Sequence, residues 1–272
     1  MGLAGISNAA RRSQSSGTPL RTVWKTLNNA TAVFRRGQLV VIGSGPAVGK
    51  SALALNLAMR TGASVLYFSA DSGPGTQLAR MVSLATGREI SEVQAALERG
   101  HTFDDITAQY SRIYWDFNAG PTLSDIEESV EAYAYLGAYP EILIIDNLLN
   151  VDAEDGSGNE FKAMENTLLF CLELARTTGA CVIVLAHLTG EYEDGITIPP
   201  LSALKGKIGK IPEMVLNLYR EIDPLGNENL GVAVVKNRNG IASAAGRYTV
   251  SLKIDMARML ITDHQTPQAQ AI

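Results

Sequence analysis

Four short runs along the chain are apolar without interruption: Leu39-Val40-Val41-Ile42, Val65-Leu66-Tyr67-Phe68, Ile142-Leu143-Ile144-Ile145 and Val182-Ile183-Val184-Leu185. Continuous rather than alternating hydrophobicity is expected of strands covered on both faces, as in a parallel sheet. Apolar positions recur with helical spacing over 50–60, 76–86, 91–99, 123–136 and 160–178. Strand alternating with helix predicts βαβ units and an α/β fold, a doubly wound, mostly parallel sheet flanked by helices. Strand-like stretches near 213–221, 230–237, 247–254 and 258–262 predict a β-rich C-terminal end. Residues 1–18 and 265–272 lack periodicity and read as flexible tails, which leaves 19–264 as one domain.

Composition narrows the setting. No apolar run approaches the roughly 18 to 20 residues needed to cross a membrane, and Arg11 and Arg12 are not followed by the apolar stretch of a secretory signal. The two cysteines, Cys171 and Cys181, fall inside apolar segments and read as buried free thiols. A cytoplasmic protein is expected. The formal net charge of −5 argues against a protein coated in basic surface. It still allows nucleic-acid contacts confined to a few loops.

Chemistry gathers where the apolar runs end. They lead into Gly43-Ser44-Gly45, Ser69-Ala70-Asp71, Asp146-Asn147 and Ala186-His187, and ligands bind at the carboxyl ends of strands in open α/β sheets. Ser44-Gly45-Pro46-Ala47-Val48-Gly49-Lys50-Ser51 follows a strand and opens a helix. Such a loop cradles phosphate with backbone N–H groups and the helix N-terminus. Lys50 is placed to reach the β- and γ-phosphates of ATP, and the Ser51 hydroxyl to bind Mg²⁺. Ser44 stands where the strict G-x-x-x-x-G-K-[ST] pattern has glycine. Asp146 is placed to hold the metal, and Asp71 to orient the attacking water, although Asp71-Ser72-Gly73-Pro74-Gly75 is also good turn sequence. His187 sits where a γ-phosphate sensor would, and equally where a structural histidine would.

Two basic features complete the inventory. Lys236 and Arg238, two apart before the Asn239-Gly240 turn, point the same way on a strand. Side by side they are either a solvated hairpin end or a pair that receives an anion. Lys205, Lys207 and Lys210 form the densest basic cluster, either tracking a nucleic-acid backbone or facing solvent. Glu191, Glu193 and Asp194 precede them and would repel phosphate. The Gly-rich stretch Asp152–Asn159 reads as a second mobile loop.

In this order the residues resemble the ATPase domain of DnaB-type hexameric replicative helicases, of the RecA-like P-loop class, over roughly Thr22 to Asp263. Gly45-Pro46-Ala47-Val48-Gly49-Lys50-Ser51 keeps that family's proline, and Tyr67-Phe68-Ser69-Ala70-Asp71 with Gln77-Leu78-Ala79-Arg80-Met81 resembles its F-S-L-E-M…Q-L-x-x-R-M stretch. Ile144-Ile145-Asp146-Asn147-Leu148 matches its Walker B strand, and Pro200-Leu201-Ser202-Ala203-Leu204-Lys205 resembles P-x-L-S-D-L-R. Lys236-Asn237-Arg238-Asn239-Gly240 matches K-x-R-N-G, whose cations reach the neighbouring subunit's γ-phosphate in that family. The resemblance implies a RecA-like fold, ATP and Mg²⁺, a homo-oligomeric ring (a hexamer), single-stranded DNA and other replication proteins as partners. Asp71 replaces the family's glutamate and His187 its glutamine. The N-terminal domain of DnaB proteins is expected to be absent, as in a compact phage- or plasmid-type version. Three other readings stay open: a RecA/RadA-like recombination ATPase, a nucleotide-switched loader with little hydrolysis, and a nuclease holding metal on Asp71 and Asp146.

Overall fold

The computed structural model describes residues 17–153, 159–223 and 226–264. Most of the two expected tails, the centre of the Gly-rich loop at 154–158 and the side chain of Lys207 lie outside the described residues. Gly17 and Thr18, expected in the first tail, are hydrogen-bonded to Arg36: Gly17 N–H donates to its carbonyl and its N–H donates to the carbonyl of Thr18.

The chain runs α1 (Lys25–Asn29), β1 (Leu39–Ser44), α2 (Lys50–Arg60), β2 (Val65–Ser69), α3 (Pro74–Thr86), α4 (Ile90–Glu98), α5 (Asp104–Gln109), β3 (Ile113–Asp116), α6 (Leu123–Ala134), β4 (Ile142–Asp146), α7 (Glu160–Thr178), β5 (Cys181–His187), β6 (Met214–Ile222), β7 (Glu228–Asn237), β8 (Thr249–Asp255) and β9 (Leu260–Thr262). The nine strands form one sheet in the order β3-β2-β4-β5-β1-β6-β7-β8-β9. Pairing is parallel from β3 across to β6 and antiparallel from there to β9. The β-rich end therefore begins with a strand that extends the parallel half.

Both faces of the parallel strands are covered, which is why the runs do not alternate. Val40, Ile42, Val65, Tyr67, Ile142 and Ile144 pack on one side with Leu53 and Leu57 of α2. Leu39, Val41, Leu66, Phe68, Leu143 and Ile145 pack on the other with Ile126 of α6 and Leu168 of α7. Cys171 and Cys181 are buried thiols, and burial pushes both up to about 12, so neither supplies a thiolate near neutral pH. No helix among the described residues is long and apolar enough to cross a membrane.

Three elements go beyond the hydrophobic pattern: α1, α5 and β3. Strand β3 is an edge strand whose first residue, Ile113, is buried while Tyr114 is exposed. An edge strand needs no continuous apolar run. Helix α5 buries no residue, so it has no stripe to detect.

Candidate functional site

The carboxyl ends of β1, β2, β4 and β5 lie side by side, and each delivers its expected residue. Helix α2 starts at Lys50, and its N-cap, Gly49, has φ +125°, a conformation that side-chain-bearing residues rarely adopt. Gly45 is required for a different reason. A Cβ there would stand 2.2 Å from the backbone carbonyl oxygen of Glu193, whose segment folds back over the phosphate loop. Arg220 ties the two together, its side chain donating to the Ala47 carbonyl at 3.1 Å and its N–H to the Gly195 carbonyl at 2.6 Å. Gly45→Ala is accordingly expected to lower stability by about 1–3 kcal/mol through overpacking. A thermal melt checks this, and an unchanged midpoint would mean that the Glu193 segment yields freely.

Lys50, Ser51, Asp71, Arg80 and His187 line one cavity of about 360 Å³, closed on its apolar side by Met256 and Met259. Lys50 is buried, and burial pulls its amine below the ordinary lysine value while Asp146 and Asp71 push it back up. Asp146 is 1% exposed, and burial raises its carboxyl above the usual aspartate value against Ser51, Tyr67 and Lys50, which hold it down. Its Oδ2 accepts a hydrogen bond from the Tyr67 hydroxyl at 3.0 Å. No donor reaches Oδ1 in hydrogen-bonding geometry among the described residues, although the Ser51 side chain acts on the same carboxylate. An orphaned buried carboxylate oxygen beside a serine hydroxyl suits a hard divalent cation, so the residues present fit Mg²⁺.

Asp71 is exposed just past β2, where its Oδ2 accepts from the Asn147 side chain at 2.9 Å. Beneath it the Gln77 side chain donates to the Ser69 hydroxyl, which donates in turn to the Ser72 carbonyl. The turn that carries Asp71 is thus pinned from below. His187 is half-buried, and burial, then Lys50, pulls its imidazole below the ordinary histidine value, so it is neutral near pH 7.

Lys236 and Arg238 lie elsewhere. Lys236 pairs with Val215, which pairs with Val41 of β1, and Arg238 N–H donates to the carbonyl of Glu213, whose own N–H donates to Leu39. Arg238 is therefore level with the start of β1, five residues or about 17 Å from the end that opens into the phosphate loop. The register slips between Val215 and Leu216, opposite Val234 to Lys236, so the bulge lies before the pair and the register continues from Lys236 to Arg238. Each cation has a local partner. Lys236 Nζ donates to the carbonyls of Gly209 and Lys210, at 2.9 and 2.6 Å, and the Arg238 guanidinium lies 3.9 Å from Glu213.

In the basic cluster, Lys205 is ion-paired with Glu160, and Lys210 is exposed. The segment carrying them packs along α7. The hydrophobic pattern alone passes over Tyr67, Asn147 and Arg80. The tyrosine hydroxyl, the one polar side-chain group in the run Val65-Leu66-Tyr67-Phe68, is the signal that points to Tyr67.

The DnaB-like helicase C-terminal domain family model matches residues 19–255. The Gene 65 protein of Mycobacterium phage L5 is 38% identical over 253 residues, covering 92% of this chain and 94% of that protein. Among solved structures, an ATPase domain superposes with a TM-score of 0.77 at 18% identity, covering 96% of each chain. A DnaB-like replicative helicase, described together with its interactions with primase, gives 0.78 at 19% identity over 97% of this chain and 68% of that one. The mixed nine-stranded sheet is thus a RecA-like fold of the kind these ATPase domains share, and the chain belongs to the DnaB-like helicase C-terminal domain family.

Proposed function

We propose that this protein is a Mg²⁺- and ATP-dependent DNA helicase motor of DnaB type, which hydrolyses ATP between the subunits of a ring, a hexamer, as it moves along single-stranded DNA. The observation that carries the reading is the division of charged groups between two ends of one sheet. Lys50, Ser51, Asp146 and Asp71 meet at one end, while Arg238, level with the start of β1, and Lys236, level with Val41 and tied to the Gly209 and Lys210 carbonyls, stand away from the chain's own phosphate loop. A pair of cations that acts on phosphate from there acts on a neighbour's.

The residues then divide the work. The loop from Ser44 to Ser51 cradles the phosphates through its N–H groups, and Lys50 draws the β- and γ-oxygens toward the start of α2. Ser51 and Asp146 hold Mg²⁺, which when bound offsets the charge that develops on the phosphoryl oxygens. Asp71 orients the attacking water with a carboxylate that Asn147 steadies. Neutral His187, beside Ser44 at the end of β5, offers a ring nitrogen to the γ-phosphate without adding a second cation beside Lys50. Arg238 and Lys236 of a neighbouring copy complete the charge stabilisation. Lys205, Lys207 and Lys210 contact the DNA backbone. The ion pair of Lys205 with Glu160 is partly exposed, a kind that contributes about 0–1 kcal/mol and yields readily to phosphate.

The test is ATP turnover with and without single-stranded DNA, followed by unwinding of a forked duplex. DNA-stimulated turnover is expected. One observation favours a second reading, a nucleotide-switched loader: Asp71 is already engaged by Asn147 and is a methylene shorter than the family's glutamate. Tight ATP binding with no turnover, with or without DNA, would overturn the motor and leave the switch.

A further inference from the structure

Tyr67 lies on β2, one strand in from the edge of the sheet, fully buried, where a phenylalanine would fill the same space without bringing a hydroxyl into the core. Its ring is fixed from one side. Tyr67 pairs in register with Trp115 of β3, and the two rings stack with centroids 4.7 Å apart and planes 29° from parallel. On the other side it pairs with Ile144 of β4, two residues before Asp146 on the same face of that strand. Tyr67 and Asp146 are therefore diagonal neighbours, and the hydroxyl reaches Oδ2 at 3.0 Å. The other oxygen of that carboxylate, Oδ1, is buried without a hydrogen-bond partner among the described residues.

One oxygen held and one left free is the arrangement of an oriented ligand. Outer groups that hydrogen-bond a ligating carboxylate set its rotation, and their loss weakens metal binding about 10- to 100-fold. We infer that Tyr67 is a positioning residue for the metal site, its hydroxyl holding Oδ2 of Asp146 so that Oδ1 is presented to the divalent cation that accompanies ATP. Trp115 braces the ring in that pose, which links the edge strand to the metal site through two stacked side chains. The inference rests on the nucleotide-site reading above and adds to it a residue that touches neither nucleotide nor metal.

The experiment compares the full chain with Tyr67→Phe, a change that keeps the ring and removes only the hydroxyl. Turnover is measured against Mg²⁺ concentration at saturating ATP. Binding of a fluorescent ATP analogue is measured in EDTA, and bound Mn²⁺ is followed by electron paramagnetic resonance. The expected result is a half-saturating Mg²⁺ concentration raised about tenfold, with the loss of turnover deepest at low Mg²⁺ and partly rescued by excess. The Mn²⁺ signal should weaken in step, while metal-free nucleotide binding stays at the wild-type value. An unchanged half-saturation in an active variant overturns the role of Tyr67 and leaves the nucleotide site standing. So does a loss of turnover that is uniform at every Mg²⁺ concentration. A wild-type chain that binds no nucleotide overturns both readings together.

Discussion

Lys50→Ala is expected to lower ATP turnover at least about a hundredfold, the scale on which single preorganised charges act in phosphoryl and acyl transfer. Lys50 opens α2 from a buried position, its amine disfavoured by desolvation and favoured by Asp146 and Asp71. The protein therefore holds a cation where burial opposes it, beside two carboxylates, in a position that an arriving phosphate can share. Alanine would leave Asp146 without one of the groups that hold its carboxyl down, so protonation of Asp146 becomes easier as well. Nucleotide affinity should fall together with turnover, because the same amine serves the bound and the reacting phosphate. Steady-state turnover, analogue binding and a thermal melt separate lost chemistry from lost folding. Near-wild-type turnover in a folded variant would remove Lys50 from the site.

Arg238→Ala carries the second large effect, a loss of turnover on the order of 10³-fold with nucleotide binding much less changed, as for arginine fingers supplied in trans. The register places Arg238 about 17 Å along the sheet from the phosphate loop of its own chain, with Glu213 as its local partner. Truncation therefore cannot disturb Lys50 or Asp146 of the same chain. A mixing experiment decides the matter. In a mixed assembly, the Arg238→Ala subunit offers an intact Lys50, and a neighbouring Lys50→Ala subunit offers an intact Arg238. Combining the two inactive variants should restore turnover at those contacts. If activity stays at the sum of the separate variants, Arg238 does not act across subunits.

The parallel half of the sheet was legible because burial on both faces leaves a strong mark. The runs at 39–42, 65–68, 142–145 and 182–185 correspond to the central strands β1, β2, β4 and β5. Helices with a buried stripe, such as α2 and α7, were legible for the same reason. What escaped was whatever the core does not dictate: edge strand β3, helix α5 with no fully buried residue, and the parallel pairing of β6. Pairing direction is decided by residues far apart in sequence, and no local pattern records it. The candidate site divides along the same line. Lys50, Ser51, Asp71, Asp146 and His187 follow from strand ends. Tyr67 under Asp146, Asn147 against Asp71 and the Glu193 segment over Gly45 are cross-strand or cross-loop contacts that only the fold assembles. The expected proximity of Lys236 and Arg238 holds to the extent that Arg238 lowers the Lys236 amine, though burial does so more. Each is nonetheless held by its own neighbours rather than by a shared anion.

The separation of Arg238 from the phosphate loop bears on how such a chain behaves when it is scarce. On the proposed reading, a solitary chain is folded and able to take up nucleotide, yet it lacks the means to consume it. Hydrolysis per chain would then rise with protein concentration instead of staying constant, since association is a mass-action process. Free chains made ahead of assembly would leave the cell's ATP untouched, and consumption would begin only where copies stand side by side.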